Sequence, residues 1–183
     1  MKATDTLMEE HRVIERMLET LRVGADKLES GEAIQPEFFL DAANFIKGFA
    51  DGCHHRKEEG VLFPKMVQQG VPSKGGPIGV MLSEHQMGRE YTKSMREGAE
   101  RLLAGDSYAQ DQVIQSARNY VELLQQHIFK EDNILFPLAD RVIPQSDQEQ
   151  VWEDFEHVEH EETGEGVHEK YLALAEKLEK EIT

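Results

Sequence analysis

The chain of 183 residues has a single cysteine, Cys53. One thiol excludes an intramolecular disulfide, a cysteine-based zinc finger and an iron–sulfur site, each of which needs several thiolates. Long apolar runs are also missing. No stretch of about 18 residues is apolar throughout, so no transmembrane helix is expected. Met1 to His11 is polar and acidic rather than hydrophobic, which gives no sign of a signal peptide and makes a cytoplasmic setting the default expectation. Basic residues are scarce: 20 Lys and Arg stand against 36 Asp and Glu, a net charge of −16. Nucleic-acid backbones and anionic membrane surfaces are bound by basic footprints, so neither is an expected partner. The period-two alternation of strands is absent as well.

What is present is helical periodicity. Leu7, His11, Ile14, Leu18, Leu21, Ala25 and Leu28 recur at spacings of 4 and 3, the mark of one face of a helix running from about Thr4 to Ser30. A second helix begins near Pro36 and carries Phe39, Ala43, Ile46, Ala50, His54, Glu58 and Val61, with Pro64 expected to kink or end it. The segment 70–77 reads as a loop. A third helix carries Met81, His85, Gly88, Thr92, Met95, Ala99 and Leu102. A fourth carries Ile114, Ala117, Val121, Leu124, His127, Glu131, Leu135 and Leu138. A fifth starts at Ser146, where Ser146 and Glu149 form a capping-box pattern, with Gly164 and Gly166 as its weak point. The expected fold is all-α: an up-down-up-down four-helix bundle over about 4–142, with an additional C-terminal helix over about 146–182, in one domain spanning 1–183.

The two helical hairpins repeat each other. Glu10-His11 matches Glu84-His85, and His54-xxx-Glu58-xxxx-Phe63-Pro64 matches His127-xxx-Glu131-xxxx-Phe136-Pro137. His11, His54, Glu58, His85, His127 and Glu131 therefore interrupt apolar stripes where Leu or Ile would pack. A buried carboxylate without a partner costs several kcal/mol. Six such interruptions call for a shared compensation, which a metal supplies. In an antiparallel bundle the starts of the first and third helices meet the ends of the second and fourth, so all six residues converge at one end of the core. Imidazole and carboxylate donors without thiolate suit iron, manganese or zinc. Four His and two Glu exceed one tetrahedral zinc and suit two ions bridged by both carboxylates, with an open position for a small ligand.

These elements resemble the hemerythrin-like, or HHE cation-binding, family. The matching stretches are Glu10-His11, His54-His55-Arg56-Lys57-Glu58-Glu59 with Leu62-Phe63-Pro64, Glu84-His85, and His127-Ile128-Phe129-Lys130-Glu131 with Leu135-Phe136-Pro137. The resemblance implies two non-haem, carboxylate-bridged iron ions, with zinc or manganese as substitutes. It assigns His11 and His54 to one iron, His85 and His127 to the other, and Glu58 and Glu131 to the bridges. Oxygen-carrying members have His-xxx-His on the third helix, but here Arg89 stands four residues after His85, which argues against simple reversible oxygen carriage. Those members also use His-xxxx-Asp on the fourth helix. His127-xxxx-Asp132 fits that spacing, but Glu131 is preferred because the repeat pairs it with Glu58.

Three further residues are candidates for an extra ligand or for support of the ligands. His55, turned about 100° from His54 on an ideal α-helix, reads slightly better as a surface or supporting residue. Glu161 and His168 fall on the inward stripe of the fifth helix. Trp152 and Phe155 are expected to pack that helix, and Cys53 to pack as a small residue. The expected function is a di-iron protein that binds or senses O2, NO or peroxide, or stores or scavenges iron. The alternative is an enzyme that consumes peroxide or repairs iron centres under nitrosative or oxidative stress.

Overall fold

A computed structural model describes residues 2–183, the side chain of Glu162 apart. Its helices are α1 (Ala3–Glu29), α2 (36–68), α3 (Pro77–Leu103), α4 (110–142), α5 (148–164) and α6 (Val167–Ile182), and the described residues contain no strand. Contacts at the helix ends fix the directions. Thr4 at the start of α1 donates to Asp140 at the end of α4, while Arg118 near the start of α4 pairs with Asp26 and Glu29 at the end of α1. Arg96 of α3 donates to Asn44 of α2, and His85, near the start of α3, donates to Glu59, further along α2. Arg101 near the end of α3 donates to Gln112 near the start of α4, and His127, further along α4, donates to Glu84 near the start of α3. Each of these neighbouring pairs therefore runs antiparallel.

Two apolar cores fill the bundle. The larger gathers Ile14, Leu18, Leu21, Phe39, Phe45 and Phe49 with Met95, Val113 and Leu124. The smaller holds Leu7, Leu62, Phe63, Met66 and Met81 with Leu135, Phe136, Val151 and Phe155. The polar residues of the repeat form a layer between them. On α1, Leu7 lies on one side of His11 and Ile14 on the other; on α2, Ala50 and Leu62 flank His54 and Glu58. The site is thus an internal layer, with apolar packing on both sides, rather than the end of the core.

Long stretches of α2 and α4 are π-helical around that layer: Ile46–His55, Glu58–Leu62 and Glu131–Leu135. The sequence explains why. Buried Ile46, Ala50, His54, Glu58, Leu62 and Met66 recur every fourth residue. At 3.6 residues per turn, each step of four drifts 40°, so the set would spread over roughly 200° of an α-helix. A wider i→i+5 winding keeps it facing inward. Residues His127, Glu131, Leu135 and Ala139 do the same on α4. The π-turns Glu58–Leu62 and Glu131–Leu135 each end two residues before a proline. Pro64 and Pro137 neither end nor break their helices, which continue to Gln68 and Val142. Proline lacks the N–H that would reach the carbonyl four residues back, and a widened turn relieves the clash with it.

The C-terminal helix departs from the expected single rod. Gly164 and Gly166 have φ of +113° and +76°, backbone that glycine alone enters freely, and they separate α5 from α6. Ser146 does not cap α5; its hydroxyl donates to Asp147 and the helix starts at Gln148. Phe155 packs as expected, but Trp152 is 44% exposed because it points away from the face carrying Val151, Phe155 and Val158. α6 packs against both α1 and α2. Its Ala175 and Leu178 are buried, and a methyl at Gly48 of α2 would overlap the Tyr171 ring.

Candidate metal centre

The structure brings all six primary candidates into one buried layer and adds His55 to them. Two groups form, in each of which one ligand atom per residue lies within 4.8 Å of the others: His11, His54, Glu58 and Glu131, and His55, His85, His127 and Glu58. Glu58 belongs to both. Glu131 also faces both, with Oε2 3.1 Å from His11 Nε2 and Oε1 3.1 Å from His127 Nε2. His55 corrects the expectation of a surface or supporting residue: it is buried, and its ring stacks on His85 at 3.8 Å between centroids. The 100° separation from His54 assumed α-helical winding. Both residues lie in the π-helical stretch, where the angle per residue is smaller and two consecutive side chains can turn toward one layer.

Every imidazole is held from behind by a carboxylate. The Nδ1–H groups of His11, His54, His55, His85 and His127 donate to Asp132, Glu10, Asp51, Glu59 and Glu84, at 2.7, 2.9, 2.8, 2.7 and 2.9 Å. Such bonds fix the tautomer and leave each Nε2 lone pair facing inward, as metal-ligating histidines require. The supports repeat with the ligands. Glu10 and Glu84 precede His11 and His85, yet each holds the histidine of the other helix in its own hairpin. Glu59 and Asp132 follow Glu58 and Glu131, and each holds the histidine of the opposite hairpin. Lys57 and Lys130 then pair with Glu10 and Glu84, and Arg89 and Arg12 with Glu59 and Asp132. Phe136 stacks on His11 and Phe63 on His85, which gives the repeated Leu-Phe-Pro a packing role beside the ligands. Sequence reasoning missed these supporting roles, although Glu10 and Glu84, Glu59 and Asp132, and Lys57 and Lys130 stand at matched offsets of the repeat; Asp51, Arg12 and Arg89 do not.

The donor set fits a cation. His54 Nε2, His55 Nε2, both Glu58 oxygens and Glu131 Oε1 are buried without a hydrogen-bond partner, and leaving such atoms unpaired costs about 1–3 kcal/mol each. The local field also favours positive charge. Burial pushes His54 and His127 down, but Glu58 with Glu10, and Glu131 with Glu84, outweigh it and raise them to about 10 and about 9. Burial pushes Glu10 and Glu84 up, and their histidine and lysine partners bring both below the ordinary carboxylate range. His55 has its pKa pushed well down, by burial and then by neighbouring His85. That favours the neutral form a ligand needs.

A third acidic group, Glu10, Cys53 and Glu159, is filled by the Lys57 ammonium, which donates to Glu10 at 2.5 Å and Glu159 at 2.6 Å. Burial raises the Cys53 thiol to about 12, as befits a packed residue rather than a nucleophile. Glu159 is where α5 reaches the site. Glu161 is exposed, and His168 is half-buried against Phe49, at 5.1 Å between rings, with no bond to the layer. The expectation that Glu161 or His168 supports the centre therefore moves to Glu159. The π-helical turn of α5 rotates position 159 inward and 161 outward.

The family model of the hemerythrin HHE cation-binding domain matches residues 2–139. The chain belongs to the hemerythrin HHE cation-binding family. The uncharacterized protein Rv1995 of Mycobacterium tuberculosis (strain ATCC 25618 / H37Rv) is 27% identical over 180 residues, which cover 98% of this chain and 70% of that protein. The iron–sulfur cluster repair protein YtfE of Enterobacter sp. (strain 638) is 35% identical over 89 residues, 47% of this chain and 40% of its own length. YtfE of Citrobacter koseri is 29% identical over 127 residues, 67% of this chain and 57% of its own. No solved structure gives a significant match. Among the described residues no helix is long and apolar enough to cross a membrane.

Proposed function

We propose that this HHE domain holds two non-haem iron ions in its polar layer and uses them to bind, sense or scavenge a small ligand such as O2, NO or peroxide. The observation that carries this reading is the pair of buried histidine–carboxylate groups that share Glu58. His11 and His54 would serve one ion and His55, His85 and His127 the other, with Glu58 and Glu131 spanning both. Bound iron would supply redox change and a coordination position for the small ligand. The chain's own residues do the rest. Five carboxylates lock the imidazoles, and the apolar cores on either side keep bulk water from the layer. The uneven histidine supply, two against three, makes the two positions chemically distinct. Optical spectra of iron-loaded protein treated with NO or peroxide test this. Stable, stoichiometric new bands are expected, and spectra that never respond to either reagent contradict it.

A second reading follows from the YtfE relatives, which are named iron–sulfur cluster repair proteins. On that reading the ions are delivered to a damaged cluster. Iron transfer to an iron-depleted iron–sulfur protein, faster than release to free chelator, would select it over ligand binding.

A further inference from the structure

Beside the polar layer, outside it, α2, α3 and α5 line a cavity of about 910 Å³ that is open to solvent on one side. That size suits a small metabolite. Its walls carry Lys47, Arg56, Arg89, Lys93 and Arg96, so a quarter of the 20 basic residues of a chain with net charge −16 face one cavity. Only Asp51, Glu59 and Asp154 oppose them. Arg89 is spent on Glu59, at 2.6 Å, and on Asp51, at 3.5 Å. Lys47, Lys93 and Arg96 are held loosely or by neutral groups. Lys47 has no ion-pair partner among the described residues, Lys93 meets Glu97 only at 3.9 Å, and Arg96 donates to the neutral amide of Asn44. Gly52 and Gly60 line the cavity without side chains, and a methyl at Gly60 would touch nothing within 4 Å.

Surface lysines and arginines in an acidic protein are ordinarily dispersed among carboxylates, because unneutralised like charges repel. Here Lys47, Lys93 and Arg96 converge on one concave wall with no carboxylate among the described residues nearer to them than Glu97, 3.9 Å from Lys93, and field lines in such a cleft concentrate counter-ions. We propose that this cavity binds a small multivalent oxyanion, a di- or tricarboxylate or a phosphate compound. Lys47, Lys93 and Arg96 are its charge partners. Asp51 and Glu59 form the wall it shares with His55 and His85. An anion seated there competes with these two carboxylates for Arg89, so occupancy of the cavity is coupled to the orientation of two histidines in the layer.

Calorimetric titration of the metal-free full chain with citrate and, separately, with pyrophosphate tests the site without relying on the iron reading. Saturable binding of at least one anion is expected at about 0.15 M salt, where non-specific surface attraction is largely screened. The two arms separate carboxylate from phosphate preference. Lys47→Glu with Lys93→Glu should weaken that binding at least tenfold. Lys27→Glu with Lys180→Glu, the same change in net charge away from the cavity, should leave it within twofold, and circular dichroism confirms that both variants fold. Absence of saturable binding of either anion, or equal weakening by the two double variants, would overturn the proposal.

Discussion

Glu131 turns its carboxylate toward His11 and His127, while Asp132, the next residue, holds the far nitrogen of His11. The two acids should therefore fail differently. Glu58→Ala and Glu131→Ala each remove a group shared by both positions, and elemental analysis should show both ions lost. Asp132→Ala removes only a support, which by analogy with other metal sites weakens affinity about 10- to 100-fold. It should spare the ion of the His55 group. Equal, complete loss in all three variants would show that Asp132 is itself a ligand. His55 is a second point of asymmetry, because the repeat places Ile128 in the corresponding position, so only one hairpin has the extra imidazole. His55→Ile restores the symmetry. It should lower the affinity of one of two resolved iron-binding steps at least tenfold and leave the other unchanged. An isotherm identical to that of the unaltered protein would return His55 to a packing role. The primary ligands were legible because charged residues inside apolar stripes are conspicuous. His55 was not, because consecutive residues lie about 100° apart only in α-helical winding, which this helix abandons.

At the scale of the helix, the strict four-residue spacing from Ile46 to Met66 and from His127 to Ala139 is the signal for that winding. It could have been read beside the prolines that follow. The C-terminal helix was legible as an element but not in its detail. Its break lay at Gly164 and Gly166 as expected, while the rotation that puts Glu159 rather than Glu161 against the bundle depends on a π-turn that a 3.6-residue stripe cannot show. Lys57 connects this helix to the centre: it is fully buried between Glu10 and Glu159. Lys57→Met leaves Glu10 with one partner fewer and Glu159 with none of its own. Breaking a buried pair costs about 3–5 kcal/mol, so denaturant titration should show a loss of that order. A loss below about 1 kcal/mol would mean that the ion pair is dispensable. Gly48→Val tests the docking of α6, because its side chain would displace Tyr171. Limited proteolysis should then cut near Gly164–Gly166 faster than in the unaltered protein; an unchanged cleavage rate would show that α6 docks without this close approach.

Across the whole molecule, two apolar cores are separated by a layer of five histidines and two glutamates, and a polar layer of that composition weakens a bundle unless something joins it. Ions that bind only the folded state stabilise it, by about 4 kcal/mol at a thousandfold excess over Kd. Removing them with a chelator should therefore lower the melting temperature by many degrees while leaving the helix content in place below the transition. The all-α architecture was legible because each helix buries one periodic face. The placement of the layer inside the core was not, since residue counts from a helix start say nothing of the packing beyond it. The most direct test of the account is the iron content of the chain after anaerobic reconstitution with ferrous iron and removal of excess, measured beside the Glu58→Ala variant. Two irons per chain, falling to none or nearly none in the variant, is the result the shared carboxylate predicts. A single ion in the unaltered protein, or two retained without Glu58, would contradict it.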